Sequence, residues 1–276
     1  MLWRSCKCSR HVLSLLGSTN GHMILDSFRL DGKNALVTGS SRGLGAAIAL
    51  ALAQAGANVG LHGKSPAGEA PGSGIRELGR KTFYLAGDLA DPQICKALID
   101  ETIEKFGSID ILVNNAGMIR RAPAAEFPLS DWDALIAVHL TAVFRLSQLA
   151  GQHMLQRSAR GKILNLASLL SFQGGILVPA YAAAKGGVAQ LTKALANEWA
   201  AKGINVNAIA PGYMATDNTE ALRKDPQRSR QLLERIPANR WGHPVDLAGA
   251  AVYLCSAASD YVHGHLLVVD GGWMAR

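Results

Sequence analysis

The sequence predicts an α/β protein with a doubly wound parallel sheet in a single domain. Short apolar runs alternate with helical stretches, and a glycine-rich turn lies between the first run and an alanine-rich helix. Such alternation is typical of a parallel sheet with helices on both faces. The chain has 276 residues, 49% of them hydrophobic, which is enough for one large core and argues against a disordered protein.

The elements follow from the apolar pattern in chain order. The first strand is Ala35–Val37. Four further strands are predicted at 59–62, 82–85, 109–113 and 162–168, and long helices at 92–106 and 130–156. The Pro/Gly-rich stretch 64–74 indicates that the second crossover is short and loop-like.

A nucleotide site is indicated by residues 38–45, Thr-Gly-Ser-Ser-Arg-Gly-Leu-Gly. Glycines at this point let the backbone approach a pyrophosphate, whose charge then lies at a helix N-terminus, as in the Rossmann arrangement. The spacing is Gly-x-x-x-Gly-x-Gly rather than Gly-x-Gly-x-x-Gly, and a purely structural turn is the alternative. Residues 114–117, Asn-Asn-Ala-Gly, follow the fourth strand, where this architecture binds ligands, although an ordinary turn uses the same residue types.

Catalytic chemistry is indicated by Ser168 at the end of the fifth strand and by Tyr181 and Lys185 beyond it. Tyr181 and Lys185 are four residues apart, hence on one face of a helix. A lysine ammonium and an oxidised nicotinamide would both favour the phenolate of a tyrosine whose ordinary pKa is about 10. Ser168 can then hold a substrate oxygen while Tyr181 transfers its proton.

These motifs, together with Pro211-Gly212, resemble those of the short-chain dehydrogenase/reductase family over about residues 28–276. The resemblance implies a Rossmann-like fold, hydride transfer between NAD(P) and a secondary alcohol or ketone, and Ser168, Tyr181 and Lys185 as catalytic residues. It also implies cofactor contacts by Gly39, Ser41, Arg42, Gly43, Leu44, Gly45, Lys64, Asp88, Leu89, Asn114, Asn115, Ala116, Gly117, Tyr181, Lys185, Pro211, Gly212, Met214 and Thr216.

One position departs from the family pattern. The usual fourth catalytic residue is an asparagine in the long helix, and this chain has His139 there. Imidazole can donate and accept hydrogen bonds, so His139 can replace the asparagine in a proton relay. A histidine in the helix core is the alternative.

A closer resemblance lies in 171–175, 208–216, 235–242 and 270–276, and in Ile119-Arg120-Arg121. These segments are similar to the group of 2-dehydro-3-deoxy-D-gluconate 5-dehydrogenases, also named 2-deoxy-D-gluconate 3-dehydrogenases. The resemblance implies a sugar-acid substrate bound by Arg120, Arg121 and Gln173. An anionic carboxylate needs such an arginine, but solvated surface arginines are the alternative.

The choice between NAD and NADP rests on two conflicting observations. Enzymes that select NAD place an acid after the second strand, and here that strand ends His62-Gly63-Lys64 without one. Arg42 and Lys64 could instead flank a 2′-phosphate, which favours NADP slightly. The group that the chain resembles is usually described as using NAD.

Two other functions remain open from the sequence. A 3-oxoacyl-thioester reductase or another sugar dehydrogenase of the same fold would carry most of the same motifs. A non-catalytic nucleotide sensor is the second alternative, motivated by His139, and the intact Ser168, Tyr181 and Lys185 argue against it.

The composition of the chain indicates which kinds of binding partner to expect. The net charge is +7 without a basic stripe, so we expect no nucleic-acid partner. No apolar run approaches the ~18 residues of a membrane helix, so we expect no membrane partner and a cytoplasmic protein. The four cysteines form no metal-ligating or Cys-x-x-Cys pattern, which predicts incidental thiols and no metal site. The family resemblance implies a homotetramer.

Residues 1–22 differ from the rest of the chain. They contain Arg and Lys but no acid, and no clear secretory signal. We interpret them as a leader or an unneeded extension, poorly ordered, before a dehydrogenase domain at 23–276 with a small substrate lid near 213–240.

Overall fold

The computed structural model describes residues 23–66 and 70–276. Within them seven parallel strands form one sheet, in the order β3-β2-β1-β4-β5-β6-β7. The strands are β1 (Asn34–Val37), β2 (Asn58–Gly63), β3 (Thr82–Ala86), β4 (Ile111–Asn114), β5 (Gly161–Leu166), β6 (Ile204–Pro211) and β7 (Leu266–Val269). The predicted doubly wound single domain is confirmed.

Helices connect the strands. They are α1 (Gly43–Gln54), α2 (Ala70–Glu77), α3 (Pro92–Phe106), α4 (Leu129–Ile136), α5 (Ala142–Gln156), α6 (Pro179–Trp199), α7 (Glu220–Lys224), α8 (Pro226–Arg235) and α9 (Ala248–Cys255). Helices α7 and α8 lie within the segment 213–240 that we expected to form a lid.

Alternation along the strands divides the core into two layers. Ala35 and Val37 of β1 belong to one cluster of buried residues, whereas Leu36 between them belongs to a second. This follows because successive side chains of a strand point to opposite faces. The first cluster includes residues of α1 and α9, and the second includes residues of α3, α5 and α6.

The second crossover is not the short loop that its glycines and prolines indicated. It contains α2, with a proline in its first turn, and Ile75 of this helix is fully buried in the first cluster. Proline is tolerated at a helix start, and burial of one apolar side chain outweighs the low helix propensity of the glycines.

The long helix predicted at 130–156 runs from Leu129 to Gln156 with a π-helical turn at Ala137–Thr141. By length and a mean hydropathy of 1.4 it is apolar enough to cross a membrane. Its buried residues, among them Leu146 and Met154, instead pack in the second cluster. It is a core helix of this domain.

The leader interpretation of residues 1–22, with Cys6 and Cys8, lies outside the described residues. Cys95 and Cys255 are free and buried, and burial raises the pKa of the Cys255 thiol to about 12.

Candidate active site

Strand order reverses between β1 and β4, so the connections at their carboxyl ends form a crevice. The glycine turn enters this crevice, and α1 begins at Gly43 with no side-chain hydrogen bond from its N-cap residue, Arg42. The first-turn N–H groups are therefore available to an anion.

Close packing explains two of the glycines in the turn. Gly39 has φ +61°, and a Cβ there would lie 2.7 Å from the Cα of Ala116. A Cβ on Gly45 would lie 2.2 Å from the carbonyl oxygen of Gly39. The turn is thus pressed against residues 114–117, as a shared cofactor site requires.

Hydrogen bonds join the same two loops. The Thr38 hydroxyl accepts from the amides of Asn115 and Ala116, at 3.0 and 3.1 Å. The Asn115 side chain donates to the carbonyls of Thr38 and Gly39. Asn114 differs from the expected cofactor contact: its amide donates to Ser147 and Asn165 inside the protein.

Both cations expected beside the nucleotide are in ion pairs. Arg42 Nε lies 3.0 Å from an Asp217 carboxylate oxygen, with both side chains exposed. Lys64 Nζ lies 2.6 Å from a carboxylate oxygen of Asp88, which follows β3. The hydrogen bond from Lys64 lowers the pKa of Asp88.

The other expected cofactor residues lie in the loops at this edge of the sheet, except Leu44, which is in the first turn of α1, and Pro211, which ends β6. Leu89 and Met214 are buried, and Gly212 donates its amide to the carbonyl of Val269. The half-buried members of the set are Ser41, Leu44, Asn115, Ala116, Pro211, Gly212 and Thr216.

The three expected catalytic residues come together. Ser168 follows β5, its hydroxyl accepts from the amide of Leu170, and its interaction with Tyr181 lowers the pKa of that residue. Tyr181 and Lys185 lie one turn apart near the start of α6, with Lys185 Nζ 5.6 Å from the centre of the tyrosine ring. The Lys185 ammonium donates to the carbonyl of Leu166 at the end of β5.

Burial is the largest influence on the pKa values of Tyr181 and Lys185. It raises the pKa of Tyr181, and the Ser168 hydrogen bond and the charge of Arg121 oppose that shift. Burial also lowers the pKa of Lys185 to about 8. The sequence argument gave Lys185 the task of favouring the phenolate, and the structure places its ammonium 5.6 Å from the centre of the tyrosine ring.

His139 lies in the π turn and is buried. Its ring meets that of Tyr181 edge-on, at 5.1 Å between centroids, and its Nε2 lies 3.0 Å from the amide nitrogen and 2.7 Å from the carbonyl oxygen of Met118. Burial, and then the charge of Lys185, lower its pKa to about 3. The imidazole is therefore neutral, and its buried Nδ1 has no partner among the described residues.

The structure separates the two adjacent arginines. Both are exposed; Arg120 Nε lies 3.6 Å from an Asp131 carboxylate oxygen, whereas the charge of Arg121 makes the smallest of three contributions to the pKa of Tyr181 and lowers it. The side-chain oxygen of Gln173, a third expected substrate residue, accepts from the indole of Trp273 at 3.1 Å.

Comparison with known proteins places this site in context. A family model described as Enoyl-(Acyl carrier protein) reductase, of the adh_short_C2 type, matches residues 39–274. The chain belongs to the short-chain dehydrogenase/reductase family. It is an NAD(P)-dependent oxidoreductase of that family.

Three relatives illustrate the similarity. A 2-dehydro-3-deoxy-D-gluconate 5-dehydrogenase of Escherichia coli K12 is 52% identical over 92% of this chain and 100% of its own. A structure from Agrobacterium tumefaciens, of a candidate 2-deoxy-D-gluconate 3-dehydrogenase with bound NADP, is 55% identical over 91% and 99%, with a TM-score of 0.85. A gluconate 5-dehydrogenase of Burkholderia cenocepacia with NADP and tartrate is 43% identical over 92% and 100%, with a TM-score of 0.87.

The residues present fit the nicotinamide dinucleotide that short-chain dehydrogenases use. The start of α1 has free amides, and the glycines at 39 and 45 leave no room for side chains. Arg42, which precedes α1, and Lys64, which follows β2, would add positive charge beside the bound cofactor.

The sequence analysis missed the positioning roles of two residues: Thr38, which it placed in the glycine motif, and His62, which it placed in the second strand. Thr38 joins the glycine turn to residues 114–117, and His62 of β2 hydrogen-bonds to the amide of Gly39. Thr38 begins the short-chain dehydrogenase glycine motif, which could have marked it. A histidine inside an otherwise apolar strand is the signal that could have drawn attention to His62.

Proposed function

We propose that this short-chain dehydrogenase transfers a hydride between NAD(P) and a secondary carbinol of a six-carbon sugar acid, with 2-dehydro-3-deoxy-D-gluconate as its first candidate substrate. The observation that carries the proposal is the position of Arg121: it is exposed and directly precedes Ala122, whose amide donates to the carbonyl of Leu177 shortly before the start of α6, the helix of Tyr181. A guanidinium there can bind the substrate carboxylate while the carbinol meets Tyr181. The names of the E. coli and A. tumefaciens relatives support the same substrate class.

The chemistry assigned to the protein groups is proton transfer and orientation. When bound, the nicotinamide accepts or delivers the hydride. In the oxidation direction the Tyr181 oxygen takes the hydroxyl proton of the substrate, and Ser168 holds the substrate oxygen. Lys185 keeps a positive charge beside them in a water-poor site.

His139 is assigned to the proton relay in place of the usual asparagine. Nearly all buried polar atoms have a hydrogen-bond partner, and Nδ1 of this neutral imidazole has none among residues 23–66 and 70–276. A water molecule or a group of the bound cofactor would supply the missing hydrogen-bond partner of Nδ1. The charge of Lys185 lowers the pKa of His139, which supports a proton path shared by these two residues.

For the cofactor we propose NADP over NAD. Arg42 and Lys64 each have only an exposed or half-exposed carboxylate as partner, and a 2′-phosphate can replace those partners with a higher charge. The NADP in the A. tumefaciens and B. cenocepacia structures is consistent with this preference.

We also propose a cytoplasmic homotetramer. Leu129, Trp132 and Phe144 expose apolar surface along the long helix, and Tyr261 is fully exposed before the edge strand β7. Exposed apolar patches of this kind are typical of contact surfaces between subunits. Light scattering on the purified protein tests the assembly, and a monomer would contradict it.

The adjacent arginines give the sharpest test of the substrate class. Arg121→Ala should raise KM for 2-dehydro-3-deoxy-D-gluconate about tenfold to a hundredfold, since a charge-assisted hydrogen bond contributes ~1.5–3 kcal/mol. Arg120→Ala, the matched control, should change KM less than about threefold because its partner is Asp131 at the surface. Equal effects of the two variants would contradict the role of Arg121.

A further inference from the structure

His62 makes two hydrogen bonds that fix its chemical state. It lies in β2 with only 3% of its surface exposed. Its Nδ1 is 3.1 Å from the amide nitrogen of Gly39, and its Nε2 is 3.1 Å from the carbonyl oxygen of Gly87. A backbone N–H can only donate and a carbonyl can only accept. Nδ1 is therefore the acceptor, Nε2 carries the proton, and the imidazole is neutral.

These bonds connect two loops of the nucleotide site. Gly39 is the first glycine of the turn before α1, and Gly87 directly precedes Asp88, the partner of Lys64. The backbone of His62 adds to this connection. Its carbonyl accepts from the amide of Ser40 at 2.8 Å, and its amide donates to the Ser40 hydroxyl at 3.0 Å. The glycine turn is thus fixed to β2 and, through the imidazole, to the end of β3.

We propose that His62 is a positioning residue of the cofactor site: its neutral imidazole holds the glycine turn against the loop that carries Asp88, and cofactor binding weakens when the imidazole is protonated. The inference deepens the proposed function and rests on its NAD(P) site. His62 acts through backbone groups, because both of its ring nitrogens are occupied by Gly39 and Gly87.

Protonation would break the connection in a defined way. A proton on Nδ1 removes the acceptor for Gly39 and makes two N–H groups face each other. The charged and titratable groups around His62 are the paired Asp88 and Lys64 and the Tyr84 hydroxyl, which donates to Ser65. Burial lowers the pKa of His62, and the Gly87 hydrogen bond and the Asp88 charge only partly oppose this. The neutral form is thus present at pH 7 and is lost only as the solution becomes acidic.

The test compares His62→Asn and His62→Leu with the wild type. The asparagine oxygen can occupy nearly the position of Nδ1 and accept from Gly39, but it does not titrate in this range. Leucine accepts nothing. The Kd values for NAD and NADP are measured by ligand fluorescence from pH 5 to pH 8, with kcat at saturating cofactor. NAD is the decisive ligand because it lacks a 2′-phosphate that itself titrates.

At pH 7 we expect His62→Leu to weaken binding of both cofactors at least tenfold and His62→Asn to weaken it less than threefold. As the pH falls below 7, the wild type should lose NAD affinity more steeply than His62→Asn, because only the wild type carries a group at this position that takes up a proton. The control His265→Asn changes an exposed histidine beside β7, at the other edge of the sheet, and should behave as the wild type.

Three outcomes would overturn the inference. They are an unchanged Kd in His62→Leu, a loss of affinity in His62→Asn as large as in His62→Leu, and the same pH dependence in the wild type and His62→Asn. If His62→Leu does not fold, the pH comparison with His62→Asn decides. A wild type that binds neither cofactor would contradict the proposed function itself.

Discussion

The ammonium group of Lys185 is buried, and burial disfavours its charged form. We therefore expect replacement by methionine to raise the stability of the fold while it lowers the activity. Only 5% of Lys185 is exposed, and burial lowers its pKa from 10.5 to about 8. One pKa unit corresponds to about 1.4 kcal/mol, so at pH 7 the charged lysine destabilises the fold by about 3 kcal/mol.

Methionine has a similar length and no charge, so Lys185→Met removes this cost. It also removes the hydrogen bond to the Leu166 carbonyl, whose loss costs ~1–2 kcal/mol. We therefore expect the variant to be about 1–2 kcal/mol more stable than the wild type at pH 7, with most of its turnover lost. Greater stability with less activity is typical of substitutions at functional residues.

The pH dependence has a defined sign. The folded-state pKa is below the unfolded value, so the native protein releases its proton first and wild-type stability rises as pH increases from about 8 to about 10.5. Lys185→Met lacks this rise, and its advantage should shrink over the same range. Urea unfolding at fixed protein concentration measures both quantities.

Lys193→Met is the matched control, since Lys193 is exposed on the same helix. It should change stability by less than about 0.5 kcal/mol. The reasoning is refuted if Lys185→Met is destabilised by more than about 1 kcal/mol, or if its difference from the wild type is the same at pH 7 and pH 10.

Three further predictions concern the site. Tyr181→Phe should keep the fold and the cofactor Kd and lose roughly a hundredfold or more in kcat, because only the transferable proton is removed; more than a tenth of wild-type turnover would contradict its role. His139→Asn should keep or raise kcat if the imidazole serves the relay, whereas a large loss in steady-state assays would give the imidazole a role of its own. The double variant Arg42→Ala/Lys64→Ala should lose kcat/KM for NADP at least tenfold more than for NAD, and an equal loss for both cofactors would argue against a 2′-phosphate site.

Much of the fold could be predicted because its strands are short apolar runs in a regular order. The catalytic pair and the glycine turn were recognisable for the same reason, since each is a local sequence pattern. The spacing of Tyr181 and Lys185 places both on one face of a helix, and the glycines form a tight turn before α1. Helix α2 was missed because its two glycines and its proline disfavour a helix locally. Burial of Ile75 overrides that preference, and burial is a tertiary contact.

The electrostatic details of the site depend on contacts distant in sequence. The partners of Arg42 and Lys64 are Asp217 and Asp88, which the chain folding brings to them. The ion pair of Arg120 with Asp131 and the influence of Arg121 on the pKa of Tyr181 likewise depend on residues elsewhere in the sequence. Neighbouring residues in a loop give no periodic signal for orientation, so the sequence treated the two arginines alike.

The most direct test of the proposed function is the turnover of the wild type on a substrate panel. The panel contains 2-dehydro-3-deoxy-D-gluconate, D-gluconate and a 3-oxoacyl thioester, each with NAD and NADP cofactors in the appropriate redox state. We predict the highest kcat/KM for a sugar acid, with NADP preferred over NAD, and little activity on the thioester. A higher kcat/KM for the thioester, or no turnover of any sugar acid, would contradict the proposed function.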